Sequence, residues 1–284
     1  MFGVFGHRQA ADGTRTVVVG GSGIFIAPFQ TLTARHVCLD LFRTDAYRYD
    51  DLRKRTRGYF ELPHSSALFQ VCEPFGPSPR SAIWQVNRTW DPVITDICYM
   101  EVSADGGEST ELQFHMPPRF FEWSLLPPPV GSRVVMLGFP KTEIKISGDL
   151  MNTDYVYAKQ EGQVTDAYEI KRDSGKYTFP CFRIDQPVDH GFSGGPVFWQ
   201  NRLCGIVSGG SVDDSTYAAS LWPMCLMDYA YPDQGEIGRK RDFSDLFETG
   251  VLQSVDWPGV KDCISRQCDG DGKAFASITS GAVV

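Results

Sequence analysis

Short apolar runs rich in β-branched residues recur along the chain, each cut off by glycine, proline or a polar turn. Residues 16–20, 23–27, 97–102, 133–137, 181–184, 196–199 and 204–208 all have the length and composition of strands. Many short strands between turn signals predict an all-β chain, either a sandwich or a pair of barrels. Helical periodicity is concentrated at 242–255, where Phe243, Leu246, Phe247 and Val251 fall on one face. Residues 40–58 are charged, partly helical in character, and read as an insertion. The proline-rich stretch 116–129 marks a boundary between two lobes, and the small-residue tail 272–284 is expected to fray.

Composition narrows the function classes. The chain has 284 residues, 42% of them hydrophobic and 22% charged, enough to bury the core of one large domain or two small lobes. A net charge of −8 argues against a nucleic-acid or anionic-membrane binder, because phosphate affinity needs a positive surface. The cluster Arg53, Lys54, Arg55 and Arg57 reads as a solvated face. No apolar run is long enough to span a bilayer, and the segment after Met1 lacks the apolar core of an export signal. A cytoplasmic location is therefore expected, with Cys38, Cys72, Cys98, Cys181, Cys204, Cys225, Cys263 and Cys268 as reduced thiols. Cys263 and Cys268 lack the companions a four-ligand zinc site needs. Neither a metal nor a nucleotide or flavin cofactor is expected, since no phosphate-binding glycine pattern is present.

The chemistry gathers at Gly191-Phe192-Ser193-Gly194-Gly195-Pro196. A nucleophilic serine needs its own N–H and that of the residue two before it turned toward a developing oxyanion, and flanking glycines permit that turn. It also needs a base. His7, His64 and His115 lack supporting context, and His190 is too near Ser193 in sequence to arc over it. His36 follows a strand pattern in Leu32-Thr33-Ala34-Arg35-His36-Val37. Two aspartates compete as its partner. Asp91 precedes a proline in a turn, whereas Asp96 opens an apolar strand where burial would fix an imidazole, so Asp96 is favoured.

Four blocks in order resemble the trypsin/chymotrypsin-like serine peptidases, including bacterial trypsin-like and HtrA-type members. They are GSGIFIAPFQTLTARHV around His36, the strand opened by Asp96, the segment around Ser193, and Gly205-Ile206-Val207-Ser208-Gly209-Gly210 behind it. The resemblance runs from about Val17 to about Pro223. It implies two six-stranded antiparallel β-barrels with the active site between them and a C-terminal helix. The implied peptidase domain spans 1–232, with barrels at about 14–116 and 130–232, followed by a helix and tail at 233–284. The implied activity is peptide-bond hydrolysis by His36, Asp96 and Ser193, in the chymotrypsin-type order, with an oxyanion hole from the N–H groups of Gly191 and Ser193. The expected partner is a protein or peptide substrate lying against Pro187, His190, Ser208, Gly209, Gly210 and Ala218.

The chain departs from the family at several points. Phe192 stands where zymogen-activated members carry aspartate, implying no such switch, and Cys38 has no earlier cysteine to form the usual disulfide beside the histidine. Gly209 replaces a tryptophan, and Pro187 sits where trypsins carry an aspartate at the base of the primary pocket. An uncharged small or medium side chain is expected before the cut. The alternatives are a catalytically silent binding or scaffold module, an esterase on the same fold, or an effector protease with one dedicated protein partner. Oligomeric state and natural substrate are not legible.

Overall fold

The computed structural model describes residues 1–9, 15–42, 59–61, 67–72, 81–90, 92, 94–104, 121–140, 143–147, 150–154, 156–210, 214–229 and 241–268. Strands dominate, as the short apolar runs between turn signals predict. In the first half these are β1 (Phe2–Gln9), β2 (Arg15–Ala27), β3 (Gln30–Ala34), β4 (Tyr59–Glu61), β5 (Ala67–Cys72), β6 (Ser81–Trp90) and β7 (Ile97–Ala104). They form one antiparallel sheet in the order β4-β6-β5-β1-β2-β3-β7, in which β6 also pairs with β7. The runs expected at 16–20 and 23–27 are one continuous strand, β2.

The second half contains β8 (Glu122–Trp123), β9 (Arg133–Gly138), the hairpin of β10 (Glu143–Ser147) and β11 (Leu150–Asp154), then β12 (Ala158–Tyr168) and β13 (Cys181–Ile184). β14 (Pro196–Trp199), β15 (Arg202–Gly210) and β16 (Thr216–Ser220) follow. Because β14 pairs with both β9 and β15, the ring β14-β9-β12-β13-β16-β15 closes as a six-strand antiparallel barrel. Its inward positions alternate along each strand, and Val134, Met136, Val164, Phe182, Ile184, Val197 and Val207 fill the interior. Beside this barrel β8 runs parallel to β15 and to β19 (Gln253–Ser254), while β17 (Asp228–Tyr229) and β18 (Arg241–Asp242) pair separately.

The C-terminal helix lies elsewhere than its periodicity predicts. Within 242–255 only one helical turn forms, α2 (Asp245–Glu248); a longer helix, α3 (Trp257–Cys268), follows, and α1 (Arg35–Phe42) stands earlier in the chain. Gly250, at φ +72°, ends the α2 turn. The chain must then extend so that Gln253 can pair with Glu122, and Pro258 suits the first turn of α3. Val251, expected on the buried face, is half exposed.

Phe243, Leu246 and Phe247 are buried as expected, but their partners come from both sheets. Phe243 packs against Tyr99 of β7 with ring centroids 5.6 Å apart and against Trp123 of β8 at 5.9 Å. Phe247 meets Trp123 edge-on and stacks on Trp257 at 5.3 Å. Below this aromatic wedge, Asp256 accepts the Leu125 and Leu126 N–H groups, each at 2.9 Å, and the Ser254 hydroxyl at 2.5 Å. The segment from Phe243 to Val260 thus staples the two sheets, and its aromatic pairs add to the burial they provide. The basic cluster at 53–57, Asp91 and the tail 272–284 lie outside the described residues. No described helix is long and apolar enough to cross a membrane.

Candidate active site

Strand β3 pairs with β7 in a register that sets Ala34 opposite Ile97, so the chain just after β3 meets the chain just before β7. Helix α1 begins at that point. Its first N–H groups have no acceptor within the helix, and Asp96 meets two of them. Arg35 N donates to the Asp96 carbonyl at 2.9 Å, and His36 N donates to Asp96 Oδ1 at 3.0 Å. The other carboxylate oxygen lies 2.8 Å from His36 Nδ1. A carboxylate acceptor pairs with a proton on Nδ1, and a neutral ring in that tautomer has its lone pair on Nε2. The same Oδ2 accepts the Ser208 hydroxyl of β15 at 2.5 Å. Asp96 is 8% exposed while the His36 side chain is 42% exposed, a buried acid behind an accessible base.

Ser193 stands in a turn whose geometry is held by both sheets. Gly191 and Gly194 have φ of +99° and +83°, in the region where glycine is favoured. A side chain on Gly194 would overlap the Ser22 carbonyl and Thr33 Oγ1, and one on Gly191 would overlap the Phe139 carbonyl. The Ser193 carbonyl accepts Ser22 N at 2.7 Å, and the Gly191 carbonyl accepts the Ser22 hydroxyl at 2.5 Å. That hydroxyl oxygen in turn accepts Phe139 N at 3.0 Å. Gly194 N donates to the Val207 carbonyl at 2.7 Å, and Val207 N to the Gly195 carbonyl at 2.8 Å. Phe192, buried in the barrel interior, anchors the turn between them. Ser193 Oγ donates to the Ser208 carbonyl at 3.4 Å, so the hydroxyl rests on the same residue whose side chain bonds Asp96. Among the described residues, the N–H groups of Gly191 and Ser193 have no acceptor.

The remaining expected residues divide into two groups. Ser208 is buried, Gly209 half-buried and Gly210 exposed, all on the end of β15 beyond its pairing with β14. Pro187 and His190 are exposed on the loop after β13, and the Val188 carbonyl approaches Gly210. Ala218 differs from expectation. It is fully buried and packs in the barrel interior, because its place on β16 opposite Val207 points it inward. Its methyl group faces the core and not a substrate cleft.

Two groups of residues carry roles that the sequence did not reveal. Ser22 was legible only as the middle of a Gly-Ser-Gly, yet it is fully buried and ties the Gly191–Ser193 turn to β2. Arg172, Asp173, Lys176 and Tyr177 form a turn against β15 and β16. Tyr177 stacks on Tyr217 at 4.3 Å, and its hydroxyl donates to the Gly210 carbonyl at 3.1 Å. Burial, and secondarily the Tyr217 ring beside it, pushes the Tyr177 phenol far above its ordinary value, so it remains a donor. Burial likewise raises the Cys181 thiol to about 12, and pushes Cys204 and Cys225 upward. These thiols are inert, and Cys38, Cys98, Cys181, Cys204 and Cys225 form no disulfide. Among the described residues no cluster suits a metal ion; the side chains of Cys263 and Cys268 lie outside them.

No protein-family model matches this chain, and no curated protein matches it. Among solved structures it is similar to the active form of the Rv3671c protease from M. tuberculosis, at 19% identity and a TM-score of 0.45, covering 79% of this chain and 78% of that one. It is also similar to the inactive form of the Rv3671c protease, at 17% identity and a TM-score of 0.40, covering 76% of this chain and 82% of that one.

Proposed function

We propose that this chain is a serine endopeptidase of the chymotrypsin-like type, with two six-stranded barrels and the reaction at their junction. The observation that carries the reading is the hydrogen-bonded chain of His36 Nδ1, Asp96 Oδ2 and Ser208 Oγ, with the Ser193 hydroxyl on the Ser208 carbonyl. Asp96 holds the imidazole in the tautomer that presents the Nε2 lone pair to accept a proton. Ser193 Oγ attacks the scissile carbonyl as His36 removes its proton, and the imidazolium that forms is stabilised by Asp96. His36 then delivers the proton to the leaving amine, and water releases the acyl group by the same steps in reverse. The Gly191 and Ser193 N–H groups receive the oxyanion, a contribution of about 10²–10³ in turnover per donor in other hydrolases. The substrate backbone pairs with β15 at Ser208–Gly210 as an added strand.

Labelling with a fluorophosphonate probe tests this reading. The unmutated chain is expected to label at Ser193, and Ser193→Ala and His36→Ala to label negligibly. Equal labelling of wild type and Ser193→Ala would remove Ser193 as the nucleophile. Parallel assays on extended peptides and simple esters separate a peptidase from an esterase, because only a peptidase depends on residues several positions from the cut.

A further inference from the structure

After Val207, strand β15 has no further strand on its β14 side among the described residues. Pro196 pairs with Ile206, and the turn at Gly194 and Gly195 takes both backbone groups of Val207. A bulge at Ser208 interrupts the alternation after Val207, so the Ser208 carbonyl also faces the Ser193 side, and Gly210, two residues on, directs its carbonyl the same way. Ser208 O receives the Ser193 hydroxyl. Gly210 O receives two donors, Lys176 Nζ at 2.7 Å and Tyr177 Oη at 3.1 Å.

The turn that supplies those donors is closed by its own hydrogen bonds. Asp173 Oδ1 accepts the N–H groups of Gly175, Lys176 and Tyr177 at 2.7, 2.8 and 3.2 Å. Arg172 lies over the Tyr217 and Tyr177 rings, 4.5 and 5.4 Å from their centroids, and the Lys176 ammonium stands 5.0 Å from the Tyr177 centroid. Asp173 also faces Arg172 at 3.8 Å. The exposed Lys176 has no carboxylate partner among the described residues, only the neutral Gly210 carbonyl.

We infer that Lys176 is a specificity residue, which caps the strand edge in the free protein and selects an acidic side chain in the peptide that pairs there. A carbonyl oxygen has two lone pairs. Tyr177, buried and stacked, keeps one. An incoming peptide N–H needs the other, so it displaces the ammonium. A carboxylate on the same stretch of peptide gives that ammonium a charged partner in place of a neutral one, whereas a basic side chain meets both Lys176 and Arg172. The selected position is the third residue before the cut or an immediate neighbour, because Gly210 lies two residues beyond Ser208 on an antiparallel pair. This assignment of position rests on the peptidase reading.

The test uses binding, so that it does not depend on turnover. Fluorescein-labelled extended peptides that differ only in Glu, Gln or Lys at that position are titrated into the full-length Ser193→Ala chain by fluorescence anisotropy. The Glu peptide is expected to bind about fivefold more tightly than the Lys peptide, the range of a solvent-accessible charge pair. Adding Lys176→Met should erase the difference, and adding Lys176→Glu should reverse it. Equal binding of Glu and Lys peptides, a ratio unmoved by Lys176→Glu, or no binding of any peptide overturns the inference. Loss of fluorophosphonate labelling in the unmutated chain, with the charge preference intact, removes the peptidase reading and leaves recognition at the strand edge standing.

Discussion

Asp96 and Asp173 each accept several donors, and the comparison between them shows how one kind of hydrogen bonding serves two purposes. Asp173 gathers three backbone N–H groups from the four residues that follow it, at the surface, and the product is a local turn. Asp96 gathers the backbone and ring of His36 and the hydroxyl of Ser208, groups 60 and 112 residues distant, and is nearly buried. The first arrangement forms wherever its short segment folds. The second exists only when β3, β7 and β15 are all in register, so it reports on the assembly of both sheets.

The strongest way to sharpen this contrast is Asp96→Asn. On the peptidase reading it should lower turnover about ten-thousandfold, because an amide can hold His36 in the wrong tautomer. Steady-state kinetics on the best peptide substrate would show it, with near-native circular dichroism expected. Next in size is Gly194→Ala, which forces a methyl group into the Ser22 carbonyl and Thr33 at a positive φ. A loss of about 3 kcal/mol by urea unfolding is expected from overlap and backbone strain together. Gly250→Ala is the control, with a similar φ of +72° but nothing within 4 Å, and should cost about 1 kcal/mol.

Asp256 resembles Asp96 in reach, since its donors at Leu125 and Leu126 are more than a hundred residues away. Asp256→Ala should destabilise by about 2 kcal/mol, because two backbone N–H groups lose a charged acceptor. No change would mean that the aromatic wedge of Phe243 and Phe247 holds the sheets together without it.

The smallest effect is expected at Asp173. Its carboxyl is held below the ordinary value, chiefly by the Gly175 N–H, with Tyr177, Lys176 and Arg172 assisting. A depressed folded value means that the turn gains stability above the ordinary carboxylate range and loses it as pH falls through the folded value. Protection of the Lys176 and Tyr177 amides, with the intrinsic pH dependence of exchange divided out, should therefore fall on acidification, and Asp173→Asn should abolish that loss. Global unfolding is expected to change little, because the group sits at the surface, where solvent screens its charge.

Much of the strand content was readable because short β-branched runs and the glycines and prolines that end them are local properties of the chain. The segments 181–184 and 196–199 coincide with β13 and β14, and 97–102 and 204–208 fall inside β7 and β15. The segment 242–255 misled, because its apolar spacing is met by a short turn and an extended stretch that both face the same aromatic core. Ala218 misled for a related reason: one residue of register on β16 decides whether a side chain faces cleft or interior.

Residue types and their order made His36, Asp96 and Ser193 candidates and suggested the chemistry such a set would perform, since nucleophile, base and acid are properties of side chains. Folding alone brought Ser22 under the Ser193 turn, set Ser208 between the acid and the hydroxyl, and laid Lys176 and Tyr177 on the Gly210 carbonyl. Those contacts join groups dozens of positions apart, and their distances follow from the pairing of whole strands, which no short stretch of chain encodes.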